Sequence, residues 1–381
     1  MAKLRTDWVL FLTILVMVGF GLVMLYSASS AVAELRYNVE PYYFCVRQIG
    51  FAVVSFLILM YFKRMDYRRL NTPAWAFSGL GIVLGMLVFV YFADPRTHRW
   101  FKIPGVGSMQ PSEFAKPALI LFLAYFIARR AHVINDRRTI RQAVVAVAML
   151  GFMVVVADLG TALVPVITAV IVFWVAGLEK RYMFRVAMIG AALVVFAVLS
   201  KGYRVGRVIS YFDPDYSKIE MIDTHGWLRS YVERSSSVRD ASYQPRQSKI
   251  AVGAGGVLGV GLMQGKQNKS MFLPDAHTDF IYATVGEELG LWGTSAVLAG
   301  FVVILWRGAR LFLLAREDFG KYLALGVTVS IVVQALINMS VVLDMAPTKG
   351  FPLPMISFGG SSMLSTLASL GMLLSVSEHE G

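Results

Sequence analysis

Two carboxylates and an imidazole alternate in the block Leu273-Pro-Asp-Ala-His-Thr-Asp-Phe280, where a polar segment of roughly 75 residues gives way to a long apolar run. The rest of the chain suits hydrocarbon, with 57% of residues apolar and 16% charged. A bilayer tolerates irregular, charged backbone only where it lines a cavity or meets water. Asp275, His277 and Asp279 at such a margin are suited to chemistry on a molecule that itself resides in the membrane. Two other readings stay open: an N-terminal cap for the following helix, and an oxygen and nitrogen ligand set for a divalent cation. Glu287 and Glu288 lie two turns into that helix and need partners if buried, with Arg204, Arg207 or Lys116 as candidates.

Three further groups sit at span margins. Glu113 and Lys116, in Gln110-Pro-Ser-Glu-Phe-Ala-Lys116, are i, i+3 neighbours at the start of an apolar helix. Lys116 either faces inward as an anion-binding cation or snorkels to the surface. Asp158, in Asp158-Leu-Gly-Thr-Ala162, stands in a tight turn and is either a site carboxylate or an N-cap. Arg96-Thr-His-Arg-Trp100 is either part of a site or an interfacial belt of arginine and tryptophan. In Pro347–Ser362, prolines and the pair Gly359-Gly360 predict a re-entrant or broken-helix entry with close backbone packing.

The elements that position these groups are apolar runs of about the 20 residues that a hydrocarbon core requires. Ten are expected, near 8–29, 44–62, 73–93, 111–128, 141–157, 160–178, 183–200, 281–305, 321–343 and 356–376. The fold class is therefore an all-α integral membrane protein of ten transmembrane helices. Residues 1–381 form a single polytopic domain, with a large extracytoplasmic loop at about 201–280. Short loops on one side carry 18 lysines and arginines against five on the other, which predicts cytoplasmic N- and C-termini. The net charge of +12 follows from that bias, with anionic lipid as counter-charge, and calls for no nucleic acid. The single cysteine, Cys45, excludes an intramolecular disulfide. The first span lacks a small-x-small cleavage site and reads as retained. The glycine run Gly253–Gly261 breaks the dinucleotide frame at Leu258, and Gly265-Lys266-Gln267 is no phosphate-binding loop.

Four segments together resemble the SEDS (shape, elongation, division and sporulation) family. They are Met109–Lys116, Ala157–Ala162, Leu273–Gly290 and Pro347–Ser362, and the likeness runs almost end to end. Gly21-Leu-Val-Met-Leu-Tyr-Ser-Ala-Ser29 and Pro347-Thr-Lys-Gly350 look more like the division branch, FtsW, than the elongation branch, RodA. The chain departs from the family in the longer polar stretch 215–242, in Lys249 and in Thr97-His98.

The resemblance implies a peptidoglycan glycosyltransferase of the bacterial cytoplasmic membrane that joins lipid II units into glycan strands at the outer face. It puts the essential aspartate on Asp279 and points to Glu113, Lys116, Asp158 and Trp100 as cavity residues. His277, Arg204 and Arg207 complete the candidate set, the arginines offsetting diphosphate charge. Asp279, with an ordinary carboxylate pKa of about 3.9, would be ionised near neutrality and act as general base. The implied partners are a class B penicillin-binding protein and other membrane proteins of the division or elongation machinery. No cofactor is required beyond, as an alternative, a divalent cation. Rival functions are a flippase moving lipid II without chemistry and a structural scaffold. Charges gathered at the outer margin favour the enzyme over the flippase, and clustered acids favour it over the scaffold.

Overall fold

The computed structural model describes residues 6–94, 97–103, 107–213, 223, 231, 238–269, 272–273, 275–347 and 350–379. Arg96, Pro274, Ser235–Ser237, Thr348 and Lys349 lie outside the described residues, as does most of 215–242.

Thirteen α-helices and one short hairpin are described. The first seven helices are α1 (Trp8–Tyr37), α2 (Tyr43–Arg64), α3 (Pro73–Ala93), α4 (Pro111–Arg130), α5 (Arg137–Ala157), α6 (Leu159–Val175) and α7 (Lys180–Leu199). The outer segment contributes α8 (Gly202–Phe212), α9 (Val238–Gly255) and α10 (Lys266–Lys269). The chain closes with α11 (Ile281–Leu314), α12 (Asp318–Val342) and α13 (Gly360–His379). Strands β1 (Phe101–Ile103) and β2 (Gly107–Met109) pair antiparallel between α3 and α4, with Phe101 opposite Met109.

Among the described residues nine helices are long and apolar enough to cross a membrane, not the ten expected. The tenth run forms α6, which has 17 residues and so spans about 26 Å at 1.5 Å per residue. Its start is set by Asp158, whose side chain caps the helix, so the apolar run begins without spare turns. Conversely, α1 runs 30 residues, well past the apolar stretch that announced it, and α11 reaches 34 only across a break at Gly290.

Burial is uneven. Helices α4, α12 and α13 form the centre, with 83%, 61% and 89% of their most apolar windows inside the protein, whereas α7 is covered by almost nothing. That division follows side-chain size and polarity. The centre carries Ser362, Ser365, Ser369, Gln334 and Asn338 among its apolar residues, and α7 presents Phe184, Leu193 and Phe196 outward.

Helices α4 and α3 both open on a first-turn proline, where no N–H is needed. Pro117 lies one turn beyond Glu113 in α4 and cannot donate to the Glu113 carbonyl, which loosens the turn that carries Glu113 and Lys116.

The outer segment is tied to the end of α12 through two of its helices. Tyr211 in α8 donates to the Met345 carbonyl at 3.0 Å, and in α9 Ser248 donates to Val342 O at 2.7 Å. Lys249, the departure noted above, pairs with Asp344 at 2.9 Å. The glycine run has a packing role. Its chain lies directly on α11 where Gly290 takes φ +64°, and a Cβ on Gly259 or Gly290 would strike the facing backbone.

Candidate active site

The residues from 350 to 359 are non-helical yet mostly buried, and they thread back against the segment that holds Asp279. Phe358 N donates to the His277 carbonyl at 3.0 Å, and Ser357 Oγ donates to Thr278 O at 2.5 Å. Asn338 of α12 donates through Nδ2 both to Asp279 O at 2.8 Å and to Phe351 O at 2.6 Å. One turn earlier on the same helix, Gln334 Nε2 donates to Pro352 O at 2.8 Å, and Gln334 Oε1 accepts from Lys116 Nζ at 2.6 Å. Two amides four residues apart thus join Asp279 and Lys116 through adjacent residues of one loop.

Lys116 is buried and paired with Glu113 at 2.7 Å. Snorkelling is excluded by that geometry, because the ammonium ends inside the protein on a carboxylate and an amide. Asp158 is the N-cap of α6 and also carries an ion pair. Its Oδ1 accepts from Gly160 N at 2.9 Å as an N-cap, and its Oδ2 pairs with Arg99. In the Arg96–Trp100 loop it is therefore Arg99, not Trp100, that enters the polar group. The Arg99 Nε–H is buried without a partner, while Trp100 is 38% exposed. The Asp94 carboxylate shapes this turn by accepting from Thr97, Arg99 and Trp100 N–H groups. The Thr97 hydroxyl bond holds its pKa down at about 2.

Asp279 is only partly exposed at the mouth of this group. Burial, and then the neighbouring Asp275 charge, push its pKa up to about 7, while Arg99 and Arg207 pull the other way. The ordinary carboxylate value expected from sequence is overturned because the margin is drier and more acidic than an exposed loop. Gly350 packs directly on the Asp279 carboxylate, leaving no room for a Cβ.

Not all candidates gather here. The His277 ring is packed between Phe44 and Phe358, at centroid distances of 5.0 and 6.0 Å, and burial lowers its pKa. Arg204 is buried and donates to Ala197 O at 2.8 Å, tying α8 to the end of α7. Glu287 and Glu288 do not take Arg204, Arg207 or Lys116 as partners. Glu287 accepts from Gln267 N at 3.0 Å and Glu288 from Ser27 Oγ at 2.6 Å, so these acids hold the glycine-rich segment and α1 to α11. Among the described residues no three carboxylate, imidazole or thiol groups converge to hold a metal ion. Asp275, His277 and Asp279 share a segment without sharing a centre.

Sequence reasoning did not single out Gln334, Asn338 or Gly350, and it placed Arg99 only within its loop. The amides carried a usable signal: polar side chains four apart in an otherwise apolar span need partners within the bundle. Gly350 carried none, since its role is a contact across 71 residues of chain.

Comparison with known proteins agrees with this architecture. Residues 7–381 match the family of FtsW, RodA and SpoVE, described as cell cycle proteins. A probable peptidoglycan glycosyltransferase FtsW from Geobacter sulfurreducens is 36% identical, covering 98% of this chain and 95% of that one. Stage V sporulation protein E of Bacillus subtilis is 33% identical, covering 99% and 98%. Among solved structures, a chain of a peptidoglycan synthase complex that coordinates polymerization and crosslinking superposes with a TM-score of 0.75. It has 24% identity and covers 98% of each chain. Rod shape determining protein RodA of Thermus thermophilus follows at 0.64 and 24% identity, covering 98% and 96%.

Proposed function

The chain belongs to the FtsW, RodA and SpoVE family of cell cycle proteins, and from that premise we propose how it works as a peptidoglycan glycosyltransferase. It is a multi-pass membrane protein whose relatives include proteins named for glycosyl transfer, which favours the enzyme over the flippase. The substrate is lipid II, a sugar on a polyprenyl diphosphate, polymerised at the outer face of the bacterial inner membrane with both termini cytoplasmic. The 18-to-5 asymmetry of lysine and arginine supports that orientation.

The observation that carries the reading is Asp279, a carboxylate with a pKa of about 7 beside two guanidinium groups. A group titrating near the working pH is the best general base, typically contributing about 10²- to 10⁴-fold. In the proposed step Asp279 takes the proton of the acceptor sugar's hydroxyl. The freed oxygen forms the bond to the donor's anomeric carbon, and polyprenyl diphosphate leaves with the bonding electrons. Arg99, whose Nε–H is unfilled, and Arg207 offset the charge that develops on the diphosphate. Lys116 and Glu113 support the floor of the site through Gln334, and Asp158 orients Arg99.

A class B penicillin-binding protein is the proposed partner, supported by the structural neighbour's place in a complex that couples polymerization to crosslinking. The test is purified protein with that partner and labelled lipid II. A ladder of glycan polymer is expected. Translocation of lipid II without polymer would hand the function to the flippase.

A further inference from the structure

The end of the bundle that holds both termini carries cations in two kinds of surroundings. Beside α1, α2 and the last three helices they are answered by acids. Lys63 meets Glu378, Arg68 meets Glu317 and Arg307 meets Asp7, each at 2.7 Å. Around the α4–α5 and α6–α7 connections the guanidinium groups lie on rings instead. Arg129 stands over Tyr125 at 4.8 Å and Arg130 over Phe126 at 4.6 Å. Arg181 and Arg185 both stand over Tyr182, at 4.9 and 5.7 Å. A ring orients a guanidinium without neutralising it, so the N–H edges stay open to an acceptor. Among the described residues only Arg181 of these four reaches a carboxylate, Glu179 at 2.5 Å.

The two connections form one platform. Asn135 donates to Gly177 O at 3.1 Å and accepts from Glu179 N at 2.8 Å, which sets the start of α5 beside the start of α7. Both helices open on cations, Arg137 and Arg138 in α5 and Lys180 and Arg181 in α7. A helix N-terminus already carries about half a positive charge, so cations there are unfavourable unless an anion sits among them. The Glu179 side chain does not cap α7, and the first N–H groups of that helix add to the same positive end. The positive-inside bias accounts for the number of these cations, but not for ring-held guanidinium groups gathered on two joined helix starts. Trp174, one turn back along α6, and Phe184, one turn into α7, are exposed beside them. Apolar surface next to the charged group suits an amphiphile better than an acidic protein. We propose that this platform binds the headgroup of an anionic phospholipid, two phosphates in preference to one, and that the bound lipid holds the little-covered α7 to α5. The proposal does not depend on the glycosyltransferase reading.

Native mass spectrometry of the full-length protein in detergent tests it. Tetraoleoyl cardiolipin, which has two phosphates, should be retained at least about tenfold more tightly than phosphatidylglycerol at the same phosphate concentration. The triple variant Arg137→Gln, Arg138→Gln and Lys180→Gln should lose that advantage. A control triple variant, Arg64→Gln, Arg69→Gln and Arg310→Gln, removes the same charge from exposed positions elsewhere on that end of the bundle. It should bind cardiolipin within about threefold of the parent, because charges beyond a Debye length are screened. Cardiolipin should also raise the thermal midpoint of the parent by several degrees, a readout that needs no variant. Equal retention of the two lipids by the parent, or equal losses in the two triple variants, means general attraction to a basic face and overturns the proposal. Retention of neither lipid above phosphatidylcholine overturns it as well and leaves the platform to an acidic protein. An unchanged midpoint overturns the tie between α5 and α7. If the first variant does not fold, the lipid preference and midpoint of the parent decide.

Discussion

Asp279 and Glu288 are acids from one stretch of chain, about two turns apart, with opposite surroundings. Glu288 is buried and takes the Ser27 hydroxyl at 2.6 Å together with backbone N–H groups of Met263 and Gly265. All of these partners point hydrogens at its oxygens, which suits a carboxylate that holds structure. Asp279 is held by its backbone, through Asn338, while its carboxylate meets a glycine, two other acids and two guanidinium charges. Pinning the main chain and leaving the carboxylate among neighbouring charges is what a proton acceptor needs. The difference teaches that an acid's depth in the membrane says little about its task. Whether its own oxygens are already committed says more.

The largest effect should come from removing the uncommitted charge. Asp279→Asn keeps size and removes the basic oxygen, so polymer formation from lipid II should fall at least about 100-fold, the lower end for losing a general base. Co-purification with the partner should be unchanged. Near-parental turnover would erase the contrast between the two acid groups.

Gly350→Ala comes next. The new methyl group would collide with the Asp279 carboxylate without altering any charge. Displacing the base by about 1 Å can cost up to about 100-fold, so kcat should drop about 10- to 100-fold while thermal stability changes little. A parental kcat would show that the carboxylate's position is not what matters.

Glu288→Gln should do the reverse. It sets an amide N–H against the Met263 and Gly265 N–H groups, which can only donate, at a stability cost of about 1–3 kcal/mol. The thermal midpoint in detergent should fall, with kcat and KM within about threefold of the parent. A selective loss of kcat with an unchanged midpoint would place Glu288 in the chemistry and dissolve the comparison.

Much of this was legible in the sequence, and the parts that were not have physical reasons. The helical membrane class, nine of the ten spans and the four polar segments follow from apolar run length and from the cost of ionisable groups in hydrocarbon. The partnering of Lys116 with Glu113 follows from i, i+3 spacing. The sorting of the acids did not follow, because Ser27 and the glycine-rich segment reach Glu287 and Glu288 by tertiary packing. His277 was grouped with Asp279 by proximity in sequence, yet neighbours two apart in a turn can face different ways, and the ring went to Phe44 and Phe358. Arg99 was hidden beside Trp100 until the turn capped by Asp94 fixed which of them points to Asp158.

The central claim is that Asp279 is a base whose pKa has been raised into the working range, and the pH dependence of kcat/KM tests it most directly. A raised pKa keeps the carboxylate protonated and unable to accept a proton below it, so activity must fall on the acid side. The account predicts a limb with slope of one and a midpoint at about 7, flattening above it, which is absent from the residual activity of Asp279→Asn. A midpoint near the ordinary carboxylate value of about 3.9, or the same limb in Asp279→Asn, would contradict it.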